Sequence, residues 1–524
     1  MDRGSVVELI WLTAMRMRIT VGSGTVRFPL LLVVLLAAAG CTETAPPRPD
    51  GGTNGTSIVL ADRDEPTTLN PLLGYGAQGV SKIYDGLVEH RQDGSLGPQL
   101  AADLPEPAAD GLSWTVKLRG DVKFTDGSTF GAEDVVATYT AALQTPVKDR
   151  FATLKSVEQV DPSTVRFTLN QQHAAFPHLL TLGILPSEQA NPNGRPIGTG
   201  PYRVAEWKKG DRLLLDANET YFNGAPKIKK LTVVFVTDDN QRARRMQDGE
   251  FDGTVLPPKI ATQFTGKSGL LVQYHRSADY RAVRLPAANP VTGNAAIRLA
   301  LNYATNRQAM IDSLLDGKGT VAYTPVPDAL AEEFDPTAKF RFDKTEAARQ
   351  LDAAGWVAGA DGIRVREGVP ARFTLMYPLG DDLRADLATA FAADAKAVGV
   401  DVQLAGLSWE AIRPRMGQDA LLYGEGSPFD PDLMLYDLRG QGSLAADTAL
   451  ENGRKLIDPA QRAVAYKLFQ QAFVAAPSMA VLVFPEHAYV MRDSWNGYQA
   501  VVDPNSYGAL AWGPWWNLEK WEPK

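Results

Sequence analysis

Between residues 373 and 404 the chain reads as a strand, a helix and a second strand in direct succession. Residues 373–377 form the first strand, 382–398 the helix with Gly399 as its stop, and 400–404 the second strand. Strands joined through a helix lie parallel, because the crossover returns the chain to the same end of the sheet. The chain therefore belongs to the α/β class. At 524 residues it exceeds what one hydrophobic core supports, so two or more domains are expected.

A second organising stretch is WTVKLRGDVKFTDGSTFGAEDV, residues 114–135. Trp114, Val116 and Leu118 alternate with Thr115, Lys117 and Arg119, the period of a strand with one face buried. Asp126-Gly127 supplies a tight turn. Val135, Val136, Tyr139 and Leu143 then follow at helical spacing, with Gly131 at the N-cap position. Further strands are expected at 58–60, 164–169, 231–236 and 480–484, the run 231–236 being apolar enough for burial on both faces. One helix capped by Asn294 should run past Ile297, Leu301, Ala304, Ile311 and Leu315 to Gly317; others should span 343–356 and 462–474. Residues 83–88 read as the end of a helix stopped at Gly86. In Pro196-Ile197-Gly198-Thr199-Gly200-Pro201-Tyr202 the two glycines permit a turn that approaches another segment closely, and no Gly-Lys-Ser/Thr follows to make it a phosphate loop.

The amino-terminal segment carries Arg16, Arg18 and Arg27, an apolar run over 28–39, and then Ala38-Ala39-Gly40-Cys41. This is the order of a secretory signal with small residues before its cut. A run of 12 residues falls short of the roughly 20 needed to span a bilayer. Cys41 is the sole cysteine, and residues 42–57 are a Pro, Gly and Thr-rich tether. A formal net charge of −8 with no Lys/Arg run excludes a nucleic-acid partner, whose phosphates need a cationic footprint.

Several strings together carry a family resemblance. LRGDVKFTDGSTFGAEDV, PTTLNP (66–71), IYDGLV (83–88), PIGTGPY (196–202), AIRLALNYATNRQAMID (296–312) and DKTEAARQLDAAGW (343–356) resemble, in order, motifs of the peptide and nickel class of extracytoplasmic solute-binding proteins of ABC importers. The resemblance covers residues 58–521. Two departures stand out: Gly131 where the family carries Thr or Ser, and Asn306 where it carries Asp. The Ala-Ala-Gly-Cys ending also resembles a lipobox, which implies lipidation at Cys41.

The resemblance implies a two-lobe periplasmic-binding-protein-like fold (type II, cluster C), with mixed sheets, flanking helices and an extra subdomain in the first lobe. The expected layout is a signal over 1–40, a lipidated tether over 41–57, a first lobe over 58–289 with its subdomain at 96–190, a second lobe over 290–484, and a return to the first lobe over 485–524. The implied function is capture of a peptide between the lobes and delivery to an ABC permease, by a monomer held at the membrane through its lipid. Haem, glycan or metal-chelate ligands, an anchored peptidase, and a chaperone-like interaction protein are the alternatives.

Dipeptide and oligopeptide members hold the ligand's α-ammonium with an Asp four residues before the Pro of an Asp/Glu-Pro pair. Here Asp430-Pro431 matches the pair, and the counted position is Ser427; Glu425, two residues away, is the candidate replacement. A neutral Ser427 would hold a cation far less strongly than a carboxylate. Tyr423, Trp409 and Arg413, with Tyr75 from the opposite lobe, complete the candidate ligand-binding set. No catalytic residue, cofactor or metal is expected. His90, His173, His178, His275 and His487 show no ligand spacing and read as surface or loop histidines, and no Gly-x-Ser-x-Gly elbow occurs.

Overall fold

A computed structural model of the chain describes residues 55–76, 79, 81–190 and 196–524. The signal, Cys41 and most of the tether lie outside the described residues. Two mixed sheets organise the rest. The first has seven strands in the order Leu270–His275, His487–Arg492, Gly253–Leu256, Ser57–Asp62, Lys230–Phe235, Arg212–Ala217, Tyr202–Lys208. The second has six, in the order Gly319–Val321, Met479–Pro485, Tyr280–Arg284, Ala420–Glu425, Arg372–Pro378, Asp401–Leu407. Its pair Arg372–Pro378 and Asp401–Leu407 is parallel, joined through the helix Asp382–Lys396, as the sequence pattern demands. Lys230–Phe235 lies inside the first sheet beside its parallel neighbour Ser57–Asp62, which is why its apolar run is continuous.

A smaller four-stranded sheet, Glu106–Pro107, Ser113–Lys117, Thr164–Leu169 and Leu154–Asp161, packs its buried face into the core of the first lobe. Trp114 and Val116 point into that core, and Gly127 makes the following turn at φ 91°. The glycine at position 131 leaves the helix Ala132–Ala142 without a side-chain cap, and Asp134 compensates. Its carboxylate accepts the Gly131 N–H at 2.8 Å and the Ser187 N–H at 2.7 Å.

Three expectations need correction. The strand Tyr280–Arg284 already pairs within the second sheet, so the chain crosses between residues 275 and 280, ahead of the expected boundary at 290. The single helix expected after Asn294 is two, Ala295–Ala304 and Arg307–Leu314, because Thr305 is extended and Asn306 caps the second. Arg307, buried, fixes the break by donating to the carbonyls of Val481 at 2.7 Å and Asn302 at 2.9 Å. Residues 83–87 form no helix: their backbone groups are taken by neighbouring segments, with Leu87 N–H on the Leu180 carbonyl and the Ile83 carbonyl accepting from Gly200.

That last contact explains Gly198-Thr199-Gly200. A Cβ at Gly198 would lie 2.2 Å from the Ile83 carbonyl oxygen, and one at Gly200 would lie 2.5 Å from the Ile83 carbonyl carbon. Gly198→Ala is expected to cost about 1–3 kcal/mol by forcing two packed backbones apart, read as a lower denaturation midpoint with an unchanged slope.

Candidate ligand-binding cleft

Between the two sheets lies a cleft of about 1320 Å³, above the roughly 300–1,000 Å³ of an ordinary small-molecule site. One wall comes from the first lobe, with Asp62 at a strand end, Tyr75 after the turn Pro71–Leu73 and Asp238 capping a helix; the other comes from Pro378, Arg384 and Trp409 of the second lobe. The floor is where the chain crosses, at Arg281, Pro485 and His487, together with Tyr507 and Trp512 from the carboxy-terminal segment.

Two arginines converge on this floor. Arg281 leaves the second residue of the strand Tyr280–Arg284, and Arg384 stands in the first turn of the helix Asp382–Lys396. Gly424 admits both, since a Cβ there would meet Arg281 Nη1 and Arg384 Nη2, the latter at 3.0 Å. Arg281 is paired with Asp279, and Arg384 with Asp381, the cap of its own helix. The Nε–H of each arginine is buried and has no hydrogen-bond partner among the described residues. Burial, then the charge of Arg281, holds Arg384 below the usual guanidinium range. A half-buried, like-charged pair favours a bound anion, and the planar fork of guanidinium matches a carboxylate. On the facing wall, burial pushes Asp62 up to about 6 even though its carboxylate accepts the Ala509 N–H at 2.7 Å.

Of the candidate residues from sequence, Tyr75 and Trp409 line the cleft, one from each lobe. Tyr75 is almost wholly buried and meets Tyr84 edge-on, whereas Trp409 is 44% exposed. Arg413 and Tyr423 do not line it: Arg413 is exposed in the 3-10 turn Arg413–Arg415, and the Tyr423 hydroxyl sits 3.2 Å from Met479 Sδ within the second lobe. Glu425 ends its strand opposite Tyr280, outside the cleft walls. It remains accessible to water, yet the surrounding protein removes enough hydration to raise its carboxyl above the usual range, with Asp437 adding to the shift. The Ser427 hydroxyl faces its own loop, accepting from the Phe429 N–H at 3.4 Å.

Asp430 is a correction. Both its oxygens accept from Arg462, at 2.8 and 2.9 Å, one also accepts the Asp432 N–H at 2.8 Å, and the residue is buried outside the cleft walls, out of a ligand's reach. Burial opposes its ionisation, but Arg462 outweighs burial and holds the carboxyl at about 2. His178 of the first lobe stands 3.8 Å from the same carboxylate, and Asp432 bridges His173 at 2.9 Å and Arg454 at 2.7 Å. The segment thus ties the second lobe to the first-lobe segment that carries His173 and His178. The histidines are likewise not surface residues: His90, His173, His275 and His487 are buried, each with a polar partner. Among the described residues no group of three or more His, Cys, Asp or Glu side chains could hold a metal ion. Arg281 and Arg384 escaped the sequence reading. A signal existed for Arg384, since a cation in the first turn of a helix opposes the macrodipole and needs another reason to be there.

The family model for bacterial extracellular solute-binding proteins, family 5 (middle region), matches residues 95–444. The chain belongs to this family. It is 41% identical over 507 residues to Protein XP55 of Streptomyces lividans, covering 91% of this chain and 93% of that protein. It is 31% identical over 400 residues to the nickel-binding periplasmic protein of Escherichia coli, covering 71% and 76%. Among solved structures, NikZ of Campylobacter jejuni in complex with Ni(L-His) superposes with a TM-score of 0.80 at 25% identity, over 90% of this chain and all of that one. Family members are extracytoplasmic substrate-binding proteins of ABC importers, not enzymes, and they work with permease subunits. No helix among the described residues is long and apolar enough to cross a membrane.

Proposed function

We propose that this family 5 receptor captures a peptide or peptide-like solute that presents a carboxylate to Arg281 and Arg384, and delivers it to its permease while anchored through a lipid on Cys41. The observation that carries the reading is the convergence of two half-buried guanidiniums, each with an Nε–H that has no partner among the described residues, on the floor of the interlobe cleft. Because both arginines belong to the second lobe while Asp62 and Tyr75 face them from the first, a ligand bound there touches both lobes. It favours the closed arrangement by as much as it binds that arrangement better. No covalent step is involved.

Recognition of the ammonium end does not use Asp430, which is committed to Arg462. The first-lobe wall offers Asp62, Asp64 and Asp238 to a ligand cation, while Asp382 and Asp386 line the wall opposite. A haem or metal chelate bearing carboxylates would meet the same two arginines, whereas a neutral glycan would leave them unmatched. Mass spectrometry of compounds released by denaturing the purified protein separates these readings. Peptides with free carboxyl termini are expected; release of only a neutral compound would overturn the proposal. Mass analysis of the membrane-extracted protein reads the anchor as a diacylglyceryl adduct on Cys41.

A further inference from the structure

We propose that His487 is a positioning residue for ligand capture: as an imidazolium between Asp279 and Asp503 at the crossing between the lobes, it leaves Arg281 and Arg384 available to the ligand's carboxylate, so that capture is tied to one proton in the hinge. The inference rests on the reading of the arginine pair as a carboxylate site.

The geometry itself asks for the cation. His487 Nδ1 lies 3.0 Å from one oxygen of Asp503, and Nε2 lies 3.2 Å from one oxygen of Asp279. A neutral imidazole has one N–H and one lone pair, so with a carboxylate oxygen at each nitrogen one contact would set lone pair against lone pair. Only the doubly protonated ring makes both contacts hydrogen bonds. All three side chains are buried, so water does not screen the contacts.

The position is that of a hinge. Asp279 immediately precedes the strand Tyr280–Arg284 of the second sheet, and His487 opens the strand His487–Arg492 of the first. Asp503 is bridged to Ser277 on the crossing segment. The charged and titratable neighbours are Asp62 and Arg63, which act on Tyr489 and Tyr507 from the first lobe, Glu486 next in the chain, and the groups of the network itself. Asp503 also takes His275 Nδ1 at 3.1 Å and the Tyr489 hydroxyl, and His275 Nε2 meets the Tyr498 hydroxyl at 2.8 Å. Tyr507 stacks on the His487 ring with centroids 3.5 Å apart, and Asp279 pairs with Arg281, which faces Arg384 and Asp381.

The charges decide the consequence. With His487 protonated, it and Arg281 balance Asp279 and Asp503. Once the proton leaves, Asp279 keeps Arg281 as its nearest cation, and one uncompensated negative charge sits behind the arginines that must receive another. Burial opposes protonation of His487, but its bonds to Asp279 and Asp503 outweigh burial and raise its pKa. Capture should therefore be full below that raised value and weaken as pH climbs through it, by at most roughly tenfold per pH unit for a single linked proton.

Selective 15N-histidine NMR on the purified protein reads the protonation of each ring nitrogen without any ligand, and His487→Gln assigns the signal. The expected result is a ring protonated at both nitrogens at pH 7 that loses its proton only above the ordinary histidine range. Asp279→Asn, which keeps the shape and removes one anion, should lower that titration and provides a second variant should His487→Gln fold poorly. In parallel, retention of a random tetrapeptide mixture with free carboxyl termini is measured from pH 5.5 to 8.5 against the same mixture amidated. Retention of the free-acid mixture should fall across the His487 titration and become flat in His487→Gln. A neutral His487 at pH 6.5, or an unchanged pH profile in the variant, overturns the proposed coupling alone. Equal retention of acid and amide mixtures would instead overturn the carboxylate reading, and the coupling with it.

Discussion

Replacing Arg384 by alanine is expected to weaken ligand capture by about 2–5 kcal/mol, roughly 30- to 4000-fold in Kd, with the fold retained. The expectation follows from what the guanidinium does in the cleft. It faces Arg281 across Gly424, is paired with Asp381, and keeps a buried Nε–H without a partner among the described residues. Removing it leaves a bound carboxylate opposed by Arg281 alone and releases Asp381 as a competing anion at the same wall. Arg384→Lys restores the charge without the planar fork and should recover only part of the loss. Isothermal titration with the compound released from the wild-type protein makes the comparison; equal affinity in all three proteins would remove Arg384 from the ligand's surroundings.

A second large effect is expected on stability. Arg462→Ala leaves Asp430 buried without its bidentate partner, a loss of about 3–5 kcal/mol at neutral pH in chemical denaturation. The pH dependence carries the sign. In the native protein the Asp430 carboxyl is held at about 2, below the ordinary aspartate value of 3.8, so the stabilisation is present above 3.8 and is lost as pH falls through 2. In the variant the carboxyl is raised by burial instead, and protonation relieves the penalty. The difference between the two proteins should therefore be largest at pH 7 and shrink toward pH 4. A difference that is constant across this range would mean that lost packing of the arginine stem, not its charge, sets the cost.

Much of the architecture was legible because it rests on local patterns. The period-two runs at 114–119 and 164–169, the apolar run at 231–236 and the crossover ending at Gly399 each point to a strand or helix from nearest neighbours alone. The Gly198-Thr199-Gly200 turn was legible too, since two glycines permit a close approach that the Ile83 backbone occupies. Misreadings came where distant partners decide. Residues 83–87 have a helix-like pattern, but the segments around Leu180 and Gly200 claim their backbone groups. The helix after Asn294 breaks because Arg307 is drawn to carbonyls from Asn302 and the far strand at Val481.

The site was harder to see than the fold for the same reason. Arg281 and Arg384 are 103 positions apart, and nothing in either neighbourhood announces the other; they meet only because the strands bearing Arg281 and Gly424 pair beside the helix bearing Arg384. His487 and Asp279 are separated by 208 positions and Asp430 and Arg462 by 32, so their pairing is invisible in the linear order. Spacing along the chain placed Asp430 as half of a ligand motif. The fold instead holds it between Arg462 and His178 of the first lobe.

A crystal structure of the protein with the compound it releases on denaturation would show directly what the two arginines hold. An acidic group of that ligand is expected within hydrogen-bond distance of Arg281 and Arg384 on the cleft floor, with Tyr75 and Trp409 on the two sides. A ligand seated between the lobes with no acidic group within reach of either arginine would contradict the carboxylate reading.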